Sequence, residues 1–223
     1  MTTLKKSNLL ILDQIKKNNN REWFTENKSE IDKEFTEVKL FFQSLYTNFQ
    51  EFDQLDPIHI HRLYRDVRFS KDKLPYKDHF ALHIPRKKPF LRGGYFLILK
   101  PGECRVAGGF WGPEPQDMRR IREEIANDPD EFRALFNNAE FLKLYDGLES
   151  EELKSAPKGY PKDHPAIDLL RKKSFLIYKD FTDQEVLQPD FHDKVIACFL
   201  GFRPFFDYMS SVLTTNSNGE ILF

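Results

Sequence analysis

The chain has 223 residues, of which 40% are hydrophobic and 14% aromatic, with 22 phenylalanines against 3 methionines. That much apolar side chain builds a core without disulfides or a structural metal, and the length suits one domain better than two. The 34 basic and 35 acidic residues nearly cancel, which excludes bulk charge as a means of drawing the protein to nucleic acid or a membrane and leaves any such role to a local patch.

The N-terminal stretch has only four consecutive apolar residues, Leu9 to Leu12, before Asp13. It reads as neither a signal peptide nor an anchor, so the expected compartment is the cytoplasm. Ser7 is placed to cap a short helix bearing Leu9, Leu12 and Ile15 on one face, with Asn18, Asn19 and Asn20 ending it. From Arg21 the pattern predicts one long helix, because Phe24, Ile31, Phe35, Val38, Phe42, Leu45 and Phe49 recur at helical spacing.

Pro57 opens a strand-like stretch, with Ile58, Ile60, Arg62 and Tyr64 alternating against His59, His61, Leu63 and Arg65. A Lys-, Asp- and Pro-rich loop follows, then a short alternating run, Phe80, Leu82 and Ile84, and a basic turn from Pro85 to Pro89. Tyr95–Leu99 and Cys104–Phe110 read as a hairpin joined by Pro101-Gly102, the pair that favours a type II turn.

After Pro113 the period becomes helical. Met118, Ile121 and Ile125 share a face, and Asp128-Pro129-Asp130-Glu131 opens a further helix carrying Phe132, Leu135 and Phe136. Pro157, Gly159, Pro161 and Pro165 within Leu153–Pro165 predict an ordered loop, and Phe175–Tyr178 a strand. A last long helix starts near Pro189, striped by Phe191, Val195, Phe199, Phe202, Phe206, Met209 and Leu213 and interrupted by Pro204. The tail from about Thr214 to Phe223 is expected to fray. Helix, then strands, then helices predict an α+β class: an antiparallel sheet of about four to six strands flanked by long N- and C-terminal helices, in one domain over residues 1–223.

No phosphate-binding loop, dinucleotide fingerprint, nucleophile elbow or zinc-protease helix is present, so no reaction is legible. Gly93-Gly94 and Gly108-Gly109 suit bends and close backbone approaches. Cys104 and Cys198 lie in unlike contexts and are expected to be buried thiols. His59 and His61 have the spacing of strand-borne ligands but lack a convergent third, so no metal site is assigned.

Chemistry concentrates in Arg62–Lys77. Six cations, Arg62, Arg65, Arg68, Lys71, Lys73 and Lys77, stand against Asp66 and Asp72, a surplus of +4, with Tyr64, Phe69 and Tyr76 interleaved. Guanidinium offers planar, bidentate recognition of carboxylate or phosphate, and lysine adds a mobile charge. Arg62, Arg65, Arg68, Lys73 and Lys77 are therefore candidates to neutralise an anion, with Tyr76 packing on it. His79 could serve such a site as acid or base, as could Glu114, held between Pro113 and Pro115 and equally placed to cap the following helix. The opposing reading makes the cluster an internal ion-pair staple, since structural networks have the same composition.

The motifs Asn19-Asn20-Arg21-Glu22-Trp23-Phe24 and Arg62-Leu63-Tyr64-Arg65-Asp66-Val67-Arg68-Phe69-Ser70-Lys71-Asp72-Lys73 through Pro75-Tyr76-Lys77 resemble those of the family called domain of unknown function 2461. Gly108-Gly109, Pro113-Glu114-Pro115, Arg119–Ile125, Pro157-Lys158-Gly159-Tyr160 and Asp163-His164-Pro165 continue the likeness in order, over about residues 8 to 210. The resemblance implies one compact domain and points to the same arginine-rich loop. It brings no activity or cofactor, and the His59-x-His61 pair is no part of its pattern. The leading expectation is a site for a small phosphorylated or nucleotide-like anion. A nucleic-acid or protein interaction module on the same patch is the alternative, with no membrane partner expected.

Overall fold

The computed structural model describes residues 3–222 except 146 and 217. It begins with α1 (Lys6–Lys17), α2 (Arg21–Glu26) and α3 (Lys28–Phe49). α1 starts two residues earlier than a Ser7 cap would allow: Lys5 is the cap residue, and its N–H donates to the Asn8 side-chain oxygen at 2.7 Å. The single helix expected from Arg21 is divided. At Asn27 (φ −99°, ψ 11°) the backbone leaves helical geometry, and the Asn27 side chain donates to the Trp23 carbonyl at 2.8 Å. An asparagine amide offering the backbone a local partner ends the turn that periodicity alone would have continued.

The strands are β1 (His59–Ile60), β2 (Phe80–Pro85), β3 (Gly94–Leu99) and β4 (Cys104–Phe110). Helices α4 (Pro115–Asn127), α5 (Pro129–Ala134), α6 (Ala139–Leu144) and α7 (Ile167–Leu170) precede β5 (Phe175–Phe181), and α8 (Asp183–Val186) and α9 (Phe191–Thr214) close the chain. The fold is α+β, with a five-stranded antiparallel sheet in the order β1-β2-β3-β4-β5. His59 stands opposite His83 and Ile60 opposite Leu82. Lys100 O accepts the Glu103 N–H at 2.8 Å with Gly102 at φ +74°, as the Pro101-Gly102 pair requires. Among the described residues no helix is long and apolar enough to cross a membrane.

Internal contacts group the chain into two compact units. The first comprises Met1–Ile84, Tyr95–Val106 and Asp180–Ala197. Here Ile31, Val38, Phe42, Leu45 and Phe49 of the α3 stripe are buried, as is Phe41. Phe35, half-exposed, stacks on Phe80 at 5.0 Å, and Phe49 meets Tyr95 edge-on at 4.7 Å. Phe41 and Phe181 both pack on Phe191, at 5.9 and 5.3 Å. Phenylalanine fills this interior because offset and edge-on ring pairs add attraction beyond the area they bury.

The second unit comprises Pro85–Gly94, Ala107–Lys179 and Cys198–Phe223. Phe132 anchors its aromatic cluster against Phe136, Phe175 and Phe205. α9 runs on through Pro204. The basic turn after Pro85 is partly interior: Arg86 is 1% exposed, and its guanidinium donates to Asp207 at 2.5 Å. Asp128 caps α5 by accepting the Glu131 N–H at 2.9 Å, and His164 Nδ1 accepts the Ala166 N–H at 3.0 Å. α6, α7 and α8, each six residues or fewer, carry too little periodicity to be read in the sequence. Beyond the helix, Leu222 N–H donates to Thr214 O at 3.0 Å, and Ser217 and Phe223 of the tail lie outside the described residues.

The paired glycines of β4 are close-approach positions. A Cβ on Gly108 would stand 2.6 Å from the Phe202 ring, and one on Gly109 (φ +141°) would run into the Phe175 carbonyl. Overpacking of this kind costs about 1–3 kcal/mol. Gly108→Ala is therefore expected to lower unfolding stability by that amount in a denaturant titration; an unchanged midpoint would show that the Phe202 ring is free to move aside.

Candidate functional site

Residues 62–77 form a closed loop with an aromatic base. Leu63 O accepts the Lys77 N–H at 2.8 Å, Pro75 O accepts the Arg65 N–H at 2.9 Å, and Tyr64 bridges to Tyr76. Tyr76 is buried, lying flat on Phe24 with centroids 3.7 Å apart and an interplanar angle of 3°. The Asn19 side chain clamps it from both directions, accepting the Tyr76 N–H and donating to the Tyr76 carbonyl, each at 3.0 Å. The Asn19–Phe24 motif thus seats the base of the second motif.

The rim braces itself. Arg65 pairs with Asp72 at 2.5 Å, and Arg68 grips Asp66 with Nε and Nη2 at 3.0 and 2.6 Å. These guanidinium contacts hold both carboxyls below the usual carboxylate range. Lys73 Nζ donates to the Val67 carbonyl at 3.0 Å, and Asp72 also accepts the Leu74 N–H at 3.0 Å.

Both carboxylates of the segment are occupied, and the surplus charge rests elsewhere. Arg62 is exposed and Lys77 half-buried, and neither has an ion-pair partner within 4 Å among the described residues. Burial first, then the nearby Arg62 and Arg65 guanidiniums, push the Lys77 ammonium pKa down. Burial likewise lowers His61, with Lys77, His79 and His59 adding repulsion. His61 therefore lies within electrostatic reach of both Lys77 and His79.

His79 lines the larger of two described clefts, about 460 Å³, whose walls include Asp78, Ile98, Lys100, Arg105 and Asp180, all in the first unit. Asp78 lies 3.2 Å from His79 Nδ1 and 3.9 Å from Lys100 Nζ, and Lys100 reaches Glu103 at 2.8 Å. These partners hold the Asp78 carboxyl below its ordinary value although burial opposes them. Arg105 faces Asp180 with two donors, at 2.6 and 2.9 Å. The Cys104 thiol beside them is pushed up to about 12 by burial, which keeps it a poor nucleophile.

Of the sequence candidates, Arg62, Arg65 and Lys77 cluster electrostatically and His79 continues them into the cleft. Arg68 and Lys73 are engaged inside the loop, and the Tyr76 ring lies on Phe24, so half-exposed Tyr64 and Phe69 are the loop's open rings. Glu114 is exposed at the start of α4, where its carbonyl accepts the Met118 N–H at 2.8 Å and its side chain makes no cap. His59 stacks near His83 at 6.0 Å, and among the described residues no three His, Cys, Asp or Glu side chains are grouped to hold a metal ion. Sequence reading passed over Lys100, Glu103, Arg105 and Asp180, which arrive from the hairpin, β4 and β5; only Asp78, adjacent to His79, carried a local signal.

The family model for a conserved hypothetical protein, DUF2461, matches residues 8–208. No curated protein and no solved structure matches the chain.

Two outcomes follow from this geometry. Removing the Asn19 clamp (Asn19→Ala) leaves two part-buried backbone groups without a partner and is expected to cost about 1–2 kcal/mol; faster hydrogen exchange at Tyr76 would report it, and unchanged exchange would discount the clamp. Because folding lowers the Lys77 pKa below 10.5, the unfolded chain binds more protons between the folded value and 10.5. Stability from this group accordingly rises with pH across that window, and below it the charged ammonium is a standing cost. Arg62→Gln is expected to raise the Lys77 pKa, measured by NMR titration; no movement would remove Arg62 as a cause.

Proposed function

Since the chain belongs to the DUF2461 family, a family of unknown function, we propose from the site alone that it binds a small phosphorylated ligand, with the phosphate on Arg62 and Lys77 and the body in the Asp78–His79 cleft. The observation that carries this reading is Lys77: a half-buried ammonium, crowded by Arg62 and Arg65, with no carboxylate in ion-pair range among the described residues. Drawing an ammonium partly out of water beside like charges costs free energy that a bound anion would return. Arg62 supplies planar donors and Lys77 a point charge, the combination suited to phosphate oxygens. His79, held at Nδ1 by Asp78, presents its imidazole to the cleft as a hydrogen-bonding group for the body of the ligand.

Thermal unfolding with inorganic phosphate, pyrophosphate and a mononucleotide tests the proposal. A ligand at a hundred times its Kd adds about 2.7 kcal/mol, and Lys77→Ala and Arg62→Ala are expected to erase the gain while Lys158→Ala, on a surface turn, keeps it. No stabilisation by any of the three at millimolar concentration would sink it. The ion pairs Arg65–Asp72 and Arg68–Asp66 favour a second reading, a structural staple. On that reading Arg65→Ala lowers the melting temperature and no anion raises it.

A further inference from the structure

The outer half of the same loop has a property that the small-ligand reading leaves unused. Phe69 is 95% exposed at its tip, on a segment fastened at every step by Arg65–Asp72, Arg68–Asp66 and the Lys73 bond to the Val67 carbonyl. A ring displayed on a frayed segment has no consequence, whereas one displayed on a braced segment has already met the entropy of ordering and is ready to be covered. Arg68 lies 5.9 Å from the ring centroid, and Lys71 and Lys73 are exposed on the same loop. Lys71 has no ion-pair partner among the described residues.

We propose that the tip Arg68–Lys73 is a docking point for single-stranded nucleic acid, with one base stacked on Phe69 and the flanking phosphates on Lys71 and Lys73. The inference does not depend on the small-ligand reading. Stacking needs one open ring face and neighbouring cations, which is what the tip displays. A protein interface instead centres on an apolar patch walled from water, and here the ring stands among charged side chains. A base inside a duplex has no free face, so the partner is single-stranded.

Fluorescence anisotropy of the full chain with labelled dT12, U12 and a 12-base-pair duplex, over a range of KCl concentrations, provides the test. The single strands are expected to bind more tightly than the duplex, with log K falling against log salt by about 0.7 per phosphate neutralised, a slope of roughly −1.4 for two contacts. Phe69→Ala is expected to weaken binding about tenfold or more and Phe69→Trp to retain it with quenched indole emission. Lys71→Gln flattens the slope by about 0.7. Equal affinity for the duplex, or binding indifferent to Phe69→Ala, would overturn the proposal. No binding at low salt would overturn it too.

Discussion

Tyr76 lies flat on Phe24, and the two edges of the Tyr76 peptide are held by one asparagine side chain. Without that seat the segment Arg62–Lys77 would be a long hydrophilic loop with too little apolar surface to order itself. With it, Leu63 and Arg65 are brought into register with Lys77 and Pro75, and the loop between is short enough for a few side-chain bonds to fix. Two sequence motifs separated by about forty residues are thereby one structural object.

The electrostatics follow from that register. Closing the base places Asp66 and Asp72 within reach of Arg68 and Arg65, and each carboxylate takes the guanidinium that its position allows. Both acids are then spent, while Lys77, adjacent to the buried ring, is drawn partly out of water beside two guanidiniums. The exposed ion pairs add little stability in a screening solvent; their effect is to fix a shape. The tip at Phe69 is braced by the two ion pairs and still carries Lys71 and Lys73, while the base carries Arg62 and the crowded Lys77.

Much of the architecture could be read directly. Ile121, Ile125 and Phe132 are buried where helical spacing put them, Pro101-Gly102 turns the hairpin, and Phe199, Phe202 and Phe206 line α9. The failures share a cause. Asn27, Asn8 and Arg86 each depart from the pattern because a polar side chain finds a specific partner: a carbonyl one turn back, a cap N–H, a carboxylate on α9. Periodicity records which side chains avoid water, and is silent about where the polar ones satisfy their bonds.

The same division applies to the candidate site. The sequence by itself determined that cations and rings are concentrated between Arg62 and Lys77 and that His79 stands next to Asp78, because composition and adjacency are local facts. Only the tertiary structure decided that the Tyr76 ring is spent on Phe24, that Arg68 is folded back on Asp66, and that His79 shares a cleft with Lys100, Arg105 and Asp180. Which cation keeps a free charge depends on which carboxylate lies within a few ångströms, and that distance is set by strand register and ring packing across the fold.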